Sequence, residues 1–140
     1  MRTILLLALA TIAGCSQAPT NAQVDPLGHA RSSHLIPRHF EPDWTYDLAV
    51  RTEGIVKPRV QYPSTARFDN LPHTESYYDP VIDRTQLNIY GNVESMGSAG
   101  QDVFQGYYVT WELSGDVKTA QQVRDGQWAL VDVEVLDAQF

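Results

Sequence analysis

Val103-Phe104-Gln105-Gly106-Tyr107-Tyr108-Val109-Thr110-Trp111-Glu112-Leu113 sets Val103, Tyr107, Val109, Trp111 and Leu113 on one side of an extended chain. Phe104, Tyr108, Thr110 and Glu112 fall on the other. A period of two sustained by β-branched and aromatic residues is the signature of a strand with one face buried. Upstream, Leu87, Ile89, Gly91 and Val93 alternate against Asn88, Tyr90 and Asn92. Downstream, Ala129, Val131, Val133 and Val135 alternate against Asp132 and Glu134. The glycine-containing stretch from Met96 to Gln101 predicts a hairpin loop between the first two strands. Ser114 to Gly126 is a longer connection, closed by Asp125-Gly126, a turn dipeptide.

Further upstream the period changes. Trp44, Leu48, Arg51 and Ile55 recur at helical spacing with Ala49 and Val56 beside them, and Asp43 stands where an N-cap would be. Gly54 weakens a helix here and Pro58 stops it, which predicts a helix over 44–57. The alternation of Tyr46, Leu48 and Val50 is the competing strand reading. In Tyr62-Pro63-Ser64-Thr65-Ala66-Arg67-Phe68, Pro63 forces an extended residue before it. Ser64 is placed to cap the single turn that follows, and Phe68 to enter a core. Asn70 to Asp83 is polar and holds Pro72 and Pro80, so it is expected to be a loop with Tyr77 and Tyr78 outside. The expected fold is α+β: one N-terminal helix packed on a small antiparallel β-meander of three to four strands, over residues 44–140.

Residues 15–43 read as a tether. They are rich in Ala, Pro, Gln, Ser and Asn, carry Pro19, Pro26, Pro37 and Pro42, and lack apolar periodicity. As a flexible chain this stretch would span about 30 Å end to end. His29, His34 and His39 on it make a candidate transition-metal set, since mobile imidazoles can wrap such an ion. Their spacing of five matches no helix face, and Arg31 and Arg38 put positive charge beside them.

The first fourteen residues read as a signal peptide: Arg2 gives a positive start, Ile4 to Ile12 an apolar run, and Ala13-Gly14 a small-residue end. The run falls far short of the roughly 20 residues that cross a bilayer as a helix. Ile12-Ala13-Gly14-Cys15 resembles the lipobox of bacterial lipoproteins, an aliphatic residue and two small ones before a cysteine. The resemblance implies cleavage before Cys15, diacylglycerol on its sulfur and an acyl chain on the new amino group. Several chains at about 0.8 kcal/mol per buried CH₂ anchor a protein stably where one is marginal. By analogy with lipoprotein sorting in double-membraned bacteria, Ser16 favours an outer-membrane destination. Cys15 is the chain's one cysteine, so the region after it has no disulfide and no thiol nucleophile.

A second resemblance lies further along. Pro63 to Phe68, then Tyr90-Gly91-Asn92-Val93-Glu94, then Phe104-Gln105-Gly106-Tyr107 is similar to a small domain of unknown function found in exported and phage-borne bacterial proteins. That domain shows a "Pro-Ser-Ser/Thr-Ala-Lys/Arg-Phe" turn after a helix, then a "Gly-x-Val" strand and an aromatic strand. The Asn-x-Phe-Gly expected after the second motif is here Ser95-Met96-Gly97-Ser98. The resemblance implies an α+β fold and carries no activity.

Hydrophobic content of 43% with 19% charged residues is ordinary for a globular domain and argues against wholesale disorder. The net charge is −7, and loss of Arg2 with a leader takes it to −8. That balance repels phosphate backbones and anionic head groups, so no nucleic-acid partner is expected and membrane attachment must come through lipid. Gly97-Ser98-Ala99-Gly100 is not a nucleophile elbow and has no lysine or following helix to cradle phosphate. His73 is the one histidine outside the tether. No cofactor is expected, and the chain is expected not to be an enzyme. Acidic pairs such as Asp132 with Glu134, or Glu94 with Glu112, keep a small envelope hydrolase as the alternative. Tyr90 and Tyr108, sharing the sheet's outer face, are the candidate patch for an envelope protein or a cell-wall component.

Overall fold

The computed structural model describes residues 34–139. Its framework is an antiparallel sheet, and the α+β expectation holds. The sheet is larger than a meander of three to four strands. Among the described residues it has six: β1 (Ile36–Arg38), β2 (Arg67–Phe68), β3 (His73–Asp79), β4 (Arg84–Met96), β5 (Asp102–Ser114) and β6 (Ala129–Val135). The order is β1-β3-β4-β5-β6, with β2 on the far half of the β4 edge that β3 occupies. The long β4–β5 hairpin runs in register from Arg84↔Ser114 to Met96↔Asp102, closed by the loop expected after Met96.

One face of this sheet is apolar because β4 and β5 send Leu87, Ile89, Val93, Tyr107, Val109 and Trp111 to the same side. Helix α1 (Tyr46–Val56) lies on it. Its buried stripe is Leu48, Thr52 and Val56, one step from the expected stripe of Trp44, Leu48, Arg51 and Ile55. Thr52 Oγ1 accepts from Trp111 Nε1 at 2.9 Å, which satisfies the indole of a residue only 1% exposed. Arg51 instead places its guanidinium 4.7 Å from the Trp111 ring centroid. Asp43 caps nothing: Thr45 is the N-cap, and Asp43 pairs with Arg124 at 2.9 Å. Pro63 to Thr65 form one 3-10 turn without a side-chain cap, and Phe68 then meets Tyr107 edge to face at 5.7 Å.

Three further sequence readings are corrected. Residues expected to be loop form β3, and Tyr77 is buried rather than outside. Both edges of β3 are paired, by β1 and β4, so its ladder needs no apolar alternation to hold it. The tether's last residues belong to the fold: β1 pairs with β3, and Phe40 sits in the core, 6.1 Å from Trp44 and 6.4 Å from Trp128. The third is the connection after β5, which contains a helix, α2 (Ala120–Asp125), started by a Thr119/Gln122 capping box. Gly126 ends that helix and is not part of a hairpin turn.

In β6, a register shift opposite Thr110/Trp111 pairs Leu130 with Trp111 and leaves Val131 out of step. Val131 is 51% exposed, against the inward position that its alternation predicts. Val133 and Val135 do pack against the core.

Candidate functional site

The sheet's second face carries the predicted tyrosines. Register sets His73, Tyr90, Tyr108 and Glu134 in one row across β3, β4, β5 and β6. The rings stack: His73 on Tyr90 at 5.4 Å between centroids, and Tyr90 on Tyr108 at 5.7 Å. Directly opposed aromatics stabilise a strand pair, so the row has a structural role whatever else it does. Tyr108 is only 5% exposed and offers little contact area, while Tyr90 is half-buried. The next row, Glu75, Asn88, Thr110 and Asp132, is polar, with Thr110 Oγ1 donating to Asn88 Oδ1 at 3.1 Å.

The carboxylate pairs fare differently. Glu94 lies opposite Phe104 and Glu112 opposite Gln86, so they stand at distant points of the hairpin and do not meet. Glu112 instead pairs with Arg84 at 3.0 Å. Asp132 and Glu134 share the outward side of β6, opposite Thr110 and Tyr108.

Of the histidine set, His29 lies outside the described residues, as does the segment with Cys15. His34 Nε2 is 3.0 Å from Asp79 Oδ1, and His39 Nε2 is 3.1 Å from Glu41 Oε1. Each imidazole thus faces its own carboxylate, and no cluster of three metal-ligating side chains occurs among the described residues.

A recess on the helix side was not expected. It is a groove of about 650 Å³ between α1 and the segment linking β2 to β3. One wall is a second helical stripe, Tyr46, Ala49, Val50, Glu53, Gly54 and Lys57, at intervals of three and four. Phe68 and Ala66 line its inner part, and Asp69 to Pro72 form the far wall. That wall stands off because β2 and β3 occupy the same edge of β4, and the chain between them must bow outward. Asp69 pins the bow: its Oδ2 accepts from the Asn92 N–H at 3.1 Å, and its own N–H reaches the Asn92 carbonyl.

The groove's electrostatics follow from partial burial. Burial pushes the Glu53 carboxyl above its usual range. Burial first and then the charges of Glu53 and Asp69 push the Tyr107 phenol up to about 12. The Tyr107 ring lies across Gly91, where an added Cβ would stand 3.0 Å from its hydroxyl oxygen, tight enough that the ring would have to give slightly. The sequence did hold a signal for the groove: Tyr46, Val50 and Gly54 make a stripe of their own at i, i+4 and i+8 beside the core stripe. No family model, no curated protein and no solved structure matches the chain.

Proposed function

We propose that this chain is a lipid-anchored envelope lipoprotein whose domain binds a partner or cell-wall component and does not catalyse. The observation that carries the reading is the tetrad Ile12-Ala13-Gly14-Cys15 behind a charged start and a short apolar run. Lipid at Cys15 would hold the domain at a membrane surface, the outer membrane in a double-membraned cell by the Ser16 analogy. Among the described residues no helix is long and apolar enough to cross a membrane. The binding half of the reading is supported by the groove beside α1, whose rim exposes apolar side chains. The buried state of Tyr108 favours that groove over the tyrosine row as the contact surface.

Intact mass and membrane fractionation of the natural chain beside Cys15→Ala test the anchor. The natural chain should begin at Cys15, gain acyl mass and sediment with membranes, while the variant should do none of these. If both forms keep residues 1–14 and remain soluble, the lipoprotein reading is wrong.

A further inference from the structure

Helix α1 needs one apolar stripe to sit on the sheet, and Leu48, Thr52 and Val56 supply it. Its second stripe points elsewhere. Tyr46 is 67% exposed and Val50 50%, and across the groove Leu71 is 78% exposed. Gly54 lies on the same stripe, and a Cβ built there meets no atom within 4 Å. A glycine inside a helix destabilises it relative to alanine, and no packing constraint at Gly54 asks for one. The space it leaves open is part of the groove.

Charge then selects what fits. Glu53 on the helix and Asp69 on the far wall place two carboxylates against one cation, Lys57. No hydrogen bond or ion pair reaches the Glu53 carboxylate among the described residues. Lys57, one turn along, is its nearest candidate partner by sequence, yet no ion pair joins them. A partly desolvated carboxylate set among apolar side chains gains most from an ammonium or guanidinium group. The chain's net charge of −7 also draws cations toward it. A recess of this size suits a compact organic ligand.

We infer that the groove between α1 and residues 66–74 binds an amphiphilic cation, its apolar body against Tyr46, Val50, Phe68 and Leu71 and its cationic head at Glu53. This rests on reading the domain as a binding module and is independent of the lipid anchor.

The test uses the full chain and three probes of nearly equal shape, phenylpropylamine, phenylpropanol and phenylpropanoate, followed by amide chemical shifts. Phenylpropylamine should move the signals of residues 46–57 and 68–72 and bind about tenfold more tightly than the other two. Glu53→Gln should remove about that tenfold preference while leaving apolar contact. Gly54→Leu, whose Cβ would meet no atom within 4 Å and whose side chain would start in the groove wall, should abolish binding in a folded chain. Equal binding of all three probes, tighter binding of the carboxylate, or unchanged binding by Gly54→Leu overturns the cation site. So does self-association that Gly54→Leu removes, since the groove would then seat a second copy. Silence of all three probes overturns it as well, while acyl mass and fractionation judge the anchor separately.

Discussion

Tyr107 shows how one residue joins the core to the groove. Its ring is in the core and 3% exposed, yet its hydroxyl feels the charges of Glu53 and Asp69, which line the groove. The ordinary phenol loses its proton near 10.0, and this one holds it to about 12. Between those values the unfolded chain binds fewer protons than the folded one, so stability must fall as pH rises through that window. Urea titrations from pH 9 upward should show a steeper alkaline loss in the natural chain than in Tyr107→Phe. Equal slopes would mean that the phenol is not held protonated by the fold. Tyr78, raised by its hydrogen bond to Asp83, lies at the surface and is common to both proteins.

At the level of elements, β1 is the piece most dependent on distant partners. Three residues with a central proline make a poor strand, and Pro37 is tolerated because β1 is a sheet edge. What holds it is Arg38. Its Nε and Nη2 donate to the two oxygens of Asp116 at 2.8 Å each, and its carbonyl accepts from Ser76 Oγ at 2.7 Å. Arg38, aided by Lys118, holds the Asp116 carboxyl below the usual carboxylate range. A depressed carboxylate contributes stability above its unfolded pKa and loses it as pH falls through the folded value. Hydrogen exchange should therefore find the β1 and β3 amides several-fold less protected in Arg38→Ala, and less protected in the natural chain on acidification. Unchanged protection would show that the ladder alone secures β1. None of this was legible locally, since Arg38 and Asp116 are 78 residues apart in the chain. Helix α1 and strands β4 and β5 were legible, because each buries a stripe whose period is written in its own residues.

For the whole molecule, the decisive matter is where the folded unit starts. Composition places the boundary at Trp44, because the residues before it are rich in Ala, Pro, Gln, Ser and Asn and lack apolar periodicity. Phe40 reverses that reading: it is 6% exposed, between Trp44 and Trp128. A chain begun at Trp44 loses β1 and this ring, and truncating a buried phenylalanine costs about 3–5 kcal/mol. Calorimetry should give a melting temperature lower by on the order of 10–20 °C than that of a chain begun at His34. Matching temperatures would return residues 34–43 to the tether.

By itself the sequence determined the α+β class, the helix before the hairpin, the long β4–β5 pairing and the expectation of a lipidated cysteine. These follow from periodicity and from a short motif, which are properties of neighbouring residues. Only the tertiary structure decided that β3 is a strand, that Phe40 belongs to the core and that Val131 turns outward at a bulge. It also decided that Glu94 and Glu112 never meet and that a groove opens beside α1. The physical reason is common to all of them. Each depends on which strand lies alongside which, and in what register, and that is settled by contacts between residues far apart in the chain.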